Sequence, residues 1–339
     1  MLGLLLLVLV LRPGPAGSHP PVTRPSAPAG CSGGFRVGFV TDIAGLDSTV
    51  DAQGWAGLQE AAHLRPCIAV ELLRSSDPAS YRADLELLAD RNELVIAGSF
   101  LLTEAVGAAA ADRPTTHFAL VDPLLMPAIR PNLAVISVRE DQAAFLAGAL
   151  AAMVSRTKIV GGVYGPEGGA MTRYRHGFEK GAAAADSSVT VLGAYQGAPE
   201  GRPFGNPAWG EAQARSFIAG GADVIFGAGG STGEGALQAA ALNHLFCIGA
   251  GEDEFLTDPP ARACLLTSAQ THPERAVRSA VLEAAAGAWK PGPTQYGIAD
   301  GAVGLAPFHA LDSSITPALR ARLLELTGEL AAGGFLDGN

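Results

Sequence analysis

At 339 residues and 48% hydrophobic content, the chain is long enough for about two domains, each with its own core. A net charge of −10, with lysine only at positions 158, 180 and 290, speaks against a nucleic-acid-binding or anionic-membrane surface. Four cysteines without CxxC spacing and seven histidines without an HxH or HxxxH pair give no metal-ligand pattern, so neither metal nor cofactor is expected.

Leu2 to Leu11 is an apolar run of signal-peptide length, well short of the roughly 20 residues a membrane span needs. It predicts export, with residues 1–17 as signal peptide and the Pro-, Gly- and Ser-rich residues 18–34 as a tether. Within the tether, Pro28-Ala29-Gly30-Cys31-Ser32 looks like a bacterial lipoprotein processing site. Two readings stay open: Cys31 is lipidated, or cleavage near Ala16 leaves it a spare thiol.

Strands and helices then alternate. FRVGFVTD (35–42) reads as a strand, and Asp51 to Leu64 as a helix with Trp55, Leu58 and Ala62 on one face. Cys67 to Leu73 is the second strand, and Asp77 with Pro78 opens the second helix. Leu94 to Gly98, His117 to Asp122 and Leu133 to Val138 are strands, with a helix from Thr103 to Asp112 between the first two. Glu140-Asp141 precede a helix from Gln142 to Val154 that is apolar on nearly every side and is expected between layers. The pattern restarts with strands at Lys158 to Tyr164 and Val189 to Tyr195 and helices at Met171 to Ala185 and Pro207 to Ala219.

GADVIFGAGGSTGEGALQAA (221–240) reads as strand, glycine-rich turn and helix, with a capping-box spacing from Ser231 to Glu234. The turn has neither the lysine of a phosphate loop nor a GxGxxG pattern, which sets nucleotide-phosphate chemistry aside. It is either a ligand-holding helix start or a tight connection without a ligand. Strands at Phe246 to Gly249 and Cys264 to Ser268, a helix from Pro273 to Trp289, short strands at Gln295 to Ile298 and Ala302 to Leu305, and a helix opening at Thr316-Pro317 complete the chain.

This alternation predicts an α/β protein of two doubly wound parallel sheets, with ligands in the cleft outside the strands' carboxyl ends. The expected passages between lobes lie near Ser155, Thr271 and Asp300. The N-terminal lobe is then 35–155 with 271–300, and the C-terminal lobe 156–270 with 301–339. Cys247 and Cys264, on consecutive strands, are either a disulfide or two buried thiols.

Nine segments, among them GFVTDIAGLD (38–47), GWAGLQEAA (54–62), LVIAGSFLLTEAV (94–106), HFALVD (117–122), GADVIFGAGGSTGEGA (221–236) and CIGAGED (247–253), resemble the basic-membrane-protein family, in the family's order. Those proteins are bacterial extracytoplasmic solute-binding proteins of ABC importers, purine-nucleoside receptors included. The resemblance implies a type I periplasmic-binding-protein fold, hinge closure on a small solute, a monomer, and ABC permease and ATPase subunits as partners. By that resemblance Asp42 takes the base, Phe204 stacks on it, and Gly229, Gly230 and Thr232 form the turn against the ligand. Ser99 and Asp122 are strand-end residues expected to line the cleft.

Other positions depart from the pattern. Val50 and Asp51 stand where nucleoside binders carry an aromatic and an amide, Gly251 replaces a ribose-gripping aspartate with Asp253 nearby, and Thr271 replaces a lysine. Losing two charged bonds to hydroxyls, each about 1.5–3 kcal/mol, disfavours an ordinary nucleoside and favours a different polar or cationic solute. A ligand-sensing receptor for a signalling partner is the alternative, and a nucleoside-processing enzyme a remote one.

Overall fold

In the computed structural model, which describes Cys31 and residues 34–123, 125–197 and 202–336, the strands form two six-stranded sheets. The signal peptide and the tether apart from Cys31 and Gly34 lie outside the described residues.

The first sheet contains β1 (Phe35–Thr41), β2 (Ile68–Arg74), β3 (Leu94–Ala97), β4 (His117–Val121), β5 (Leu133–Val138) and β11 (Gly292–Tyr296), in the order β11-β5-β4-β3-β1-β2. Every pairing in it is parallel. The second contains β6 (Ile159–Tyr164), β7 (Thr190–Tyr195), β8 (Val224–Ala228), β9 (Phe246–Gly251), β10 (Leu265–Thr271) and β12 (Val303–Leu305), in the matching order β12-β10-β9-β8-β6-β7. Only β12 runs antiparallel, against β10.

The helices are α1 (Thr49–Leu64), α2 (Tyr81–Ala89), α3 (Thr103–Asp112), α4 (Glu140–Val154), α5 (Gly169–Ala185), α6 (Pro207–Ala219), α7 (Ser231–Leu242), the single turn α8 (Glu254–Thr257), α9 (Pro273–Ala285) and α10 (Pro317–Ala331). Because β1 and β6 each lie one strand in from an edge, with the next strand on one side and the remaining strands on the other, each sheet has its switch point beside its first strand. That is where a ligand crevice opens in such folds. The strand interiors are continuous apolar runs, as burial on both faces requires: β3 and β8 are buried along their whole lengths.

Helix α4 departs from the expected lobe assignment. It was to end the N-terminal lobe at Ser155, but it packs along α5 and against β10, β12 and α10. The chain therefore passes toward the second sheet at Arg139. The reason is glycine. An added Cβ would stand 2.0 Å from the Phe178 carbonyl oxygen at Gly148, 2.1 Å from that of Asp141 at Gly177, and 1.9 Å from that of Phe145 at Gly181. Backbone meets backbone along this seam, and every residue from Glu140 to Ala152 is buried. Phe178 stacks on Phe226 at a centroid distance of 4.8 Å, which ties α5 to the sheet; removing such a ring costs about 3–5 kcal/mol.

Two disulfides are present. Cys247–Cys264 forms across β9 and the residue before β10, which decides between the two readings of that pair. Cys31 bonds to Cys67, with Cα atoms 5.5 Å apart. This corrects both readings of Cys31, as a lipidation site and as a spare thiol, because its sulfur is occupied. The parallel register explains the pairing: Phe35 lies opposite Ile68, so the segments entering β1 and β2 arrive side by side.

Candidate functional site

Loops from the carboxyl ends of both sheets meet around two adjoining cavities. One, of about 180 Å³, is lined by Val50, Gln53, Asp122 and Ser137 on one side and by Glu140, Ala170, Met171, Tyr174 and Thr271 on the other. The second, of about 130 Å³, is lined by Phe100, Asp122 and Pro123 opposite Gly168, Ala170, Met171 and Phe204. Asp122, Ala170 and Met171 border both.

An ion triad crosses this space. The Arg173 guanidinium donates to both Glu140 carboxylate oxygens, at 2.5 and 3.1 Å, and stands 3.6 Å from Asp122. Burial pushes the Glu140 pKa up to about 7 although Arg173 pulls it down, and loss of water also raises Asp122. Asp122 and Phe204 both hold positive φ, 44° and 60°. For a bulky phenylalanine this conformation costs on the order of 1–3 kcal/mol, and such strain concentrates at ligand sites.

Asp42 is 5% exposed and turned inward. Its carboxylate accepts from Ser99 Oγ at 2.9 Å and from the Ala44 amide at 2.7 Å, while its own amide donates to Asp51. Asp51 is fully buried, and its pKa is raised to about 7, chiefly by burial and further by the Asp42 charge and a shared hydrogen bond. Ser99 also accepts from the Leu101 amide and so fixes the short 3-10 turn from Phe100 to Leu102. Of Asp42, Val50, Asp51 and Ser99, Val50 is the residue that borders the cleft directly.

The glycine-rich turn serves packing. At Gly229 a Cβ would come within 2.5 Å of the Gly165 amide nitrogen, and at Gly230 within 2.9 Å of the Phe204 carbonyl oxygen. Thr232, fully buried, donates to Gln196 Oε1 and accepts from the Asn206 amide. The expected capping box is absent: Gly230 is the N-cap, and the Ser231 hydroxyl donates to the Phe204 carbonyl instead. These contacts set where the Phe204 loop lies.

Gly251, with φ 88°, accepts a hydrogen bond from Thr271 Oγ1 at its carbonyl. Asp253 pairs with His309 at 2.8 Å and caps α8. It borders a third cavity, also lined by Gln53, Glu252, Thr271, His272 and Glu274; Gln53 and Thr271 connect that cavity with the first. Of the sequence-derived set, then, Val50, Asp122, Phe204 and Thr271 border the two central cavities, while Asp42, Asp51, Ser99 and Thr232 support them from beneath.

Sequence reasoning missed Phe100, Glu140, Arg173 and Tyr174. A signal existed for each. Phe100 directly follows a strand-end serine, Glu140 ends the fifth strand's loop, and Arg173 and Tyr174 occupy the first turns of the helix after β6.

A family described as PnrA-like ABC transporter substrate-binding proteins matches residues 36–325. Basic membrane protein D of Borreliella burgdorferi is 31% identical over 191 residues, 55% of this chain and 54% of that protein. The Lactococcus lactis protein named ABC transporter nucleoside-binding protein BmpA is 25% identical over 233 residues, 65% of this chain and 64% of that one. The chain thus spans between about half and two thirds of these relatives. In fold it is similar to an ABC transporter solute-binding protein from Conexibacter woesei, with a TM-score of 0.65 at 22% identity over 90% of this chain and 99% of the other. With two like sheets around a shared cleft and a family match over most of its length, the chain belongs to the PnrA-like family of ABC transporter substrate-binding proteins.

Proposed function

We propose that the protein captures a small, unphosphorylated, nucleoside-like solute in this cleft, outside the cytoplasm, and hands it unchanged to ABC permease and ATPase subunits. The observation that carries the reading is the lining of the two central cavities. Both sheets contribute to it, Asp122 and Glu140 supply acid, and among the described residues none of the lining side chains is basic. The nearest guanidinium, Arg173, is engaged by those same acids. A phosphate placed there would meet like charge in a partly dry site, whereas hydroxyl and amino donors would find acceptors.

The Lactococcus relative's name supports the nucleoside class. The two disulfides support an oxidising, extracytoplasmic setting. Hinge closure follows from ligand contacts on both lobes, and a ligand at 100 times its dissociation constant stabilises the closed form by about 2.7 kcal/mol.

A thermal-shift screen over nucleosides, nucleotides, sugars, amino acids and polyamines tests the proposal. Nucleosides are expected to raise the melting temperature and their phosphates to leave it unchanged. Preferential stabilisation by nucleotides, or chemical conversion of a bound nucleoside, overturns it.

A further inference from the structure

Arg173 stands near the start of α5 between two carboxylates that hold it unequally. Glu140, its side chain 4% exposed, takes the guanidinium through both oxygens. It belongs to the same body as Arg173, because the glycine seam joins α4 to α5. Asp122 comes from the other lobe, is 37% exposed and lies 3.6 Å away, beyond hydrogen-bonding distance. Of the neighbouring charges, Arg139 and Asp141 neutralise each other through bonds of 2.8 and 2.7 Å. Asp42 and Asp51 are held beneath the cleft by Ser99, the Ala44 amide and each other. Two carboxylates and one guanidinium therefore leave one negative charge beside the central cavities, most of it on Asp122, which borders both. Arg173 is not among the residues that line either cavity, so it acts on a solute through the charge it cancels rather than by touching it.

We propose that Arg173 determines specificity by charge: by cancelling one of the two cleft carboxylates it holds the site at a single negative charge, which fits a neutral donor-bearing solute. Without the guanidinium the two acids would carry two negative charges and favour a cation. Without the Glu140 charge the guanidinium would be left to Asp122 alone, the site would be neutral, and a phosphate would no longer meet like charge. Because the seam keeps Arg173 with Glu140, Asp122 is the partner it gains as the lobes come together, and the selection is made at that step. The inference deepens the proposed function and rests on it for the use of the cleft.

Calorimetric titration of the purified protein at pH 8, where Glu140 with its pKa raised to about 7 is ionised, tests it. The probes are adenosine and uridine, each also as its 5′-amino-5′-deoxy analogue and its 5′-monophosphate, so that one scaffold is offered neutral, cationic and anionic. Arg173→Gln should shift the affinity ratio of amino to neutral probe toward the amine by about tenfold or more, the effect of one unit charge in a partly dry site. Glu140→Gln should narrow the preference for neutral probe over monophosphate by a similar factor. The double variant, which again carries one negative charge on Asp122, should return both ratios to the parent's, and Arg173→Lys should keep them. A merely structural guanidinium would change all affinities together and leave the ratios alone. Circular dichroism establishes folding, and if Arg173→Gln does not fold, Glu140→Gln and the double variant decide by the same ratios. Ratios that stay at the parent's values in the single variants, or that the double variant does not restore, overturn the inference and leave the solute-binding reading standing. No binding of any probe by the parent, or tighter binding of the monophosphates, overturns both.

Discussion

The two sheets share one strand order, yet their carboxyl ends are equipped differently. The first ends in acids: Asp42 and Asp51 lie buried against each other, and Asp122 stands in the cleft. The second ends in glycines: Gly165, Gly229 and Gly230 let turns approach within backbone contact and fix the Phe204 loop. One topology used twice has supplied hydrogen-bonding capacity from one side and shape from the other. Duplicated architecture therefore does not duplicate chemistry.

The comparison breaks hardest at Arg173, a cation of the second lobe that holds Glu140 at the start of α4 and faces Asp122 of the first lobe. Arg173→Met leaves Glu140 buried without its partner and is expected to destabilise by about 3–5 kcal/mol at pH 8. The loss should shrink at pH 6, where Glu140 is protonated. Equal losses at both pH values in denaturant unfolding would show that the guanidinium acts through packing alone.

On the glycine side, Gly229→Ala combines a φ of 109° with a Cβ 2.5 Å from the Gly165 amide nitrogen. It should cost about 1–3 kcal/mol and weaken ligand binding, since the Phe204 loop must shift. An unchanged melting temperature would show that the turn is not the rigid support described above.

On the acid side, the effect appears as a pH slope. Asp51 and Glu140 are raised to about 7 and Glu254 to about 8, in each case chiefly by burial. A raised folded pKa means that stability is fully present below the unfolded value near 4 and is lost as pH climbs toward 7 or 8. Each group contributes a slope of at most about 1.4 kcal/mol per pH unit. The melting temperature should fall between pH 5 and 8, and Asp51→Asn with Glu254→Gln should flatten the fall. A parent protein whose melting temperature rises over that range would contradict the burial argument.

Some of this was legible without coordinates. The periodicity of FRVGFVTD and GADVIFGAGG marked strands whose ends point toward a ligand crevice; Asp122 was singled out as a strand-end residue, and Phe204 by family resemblance. Asp42 was singled out by that resemblance as well, yet it turned inward, because Ser99 and the Ala44 amide lie within hydrogen-bonding distance and satisfy it locally. Phe100, one residue past Ser99, took the exposed position. The helix from Glu140 was recognisable as buried all round, but its lobe was not. Its partner is set by glycines some 30 residues downstream that admit a backbone seam with α5.

By itself, then, the sequence determined the alternation of strands and helices, the two-sheet parallel architecture and the strand ends where function concentrates. These follow from local periodicity and turn chemistry, which neighbouring residues decide. Only the tertiary structure decided which strand-end side chains face the cleft, that Cys31 is bonded to Cys67, and that Phe100 and Phe204 share a chamber. Those facts depend on the register between strands and the meeting of two lobes, which are set by contacts between residues far apart in the chain.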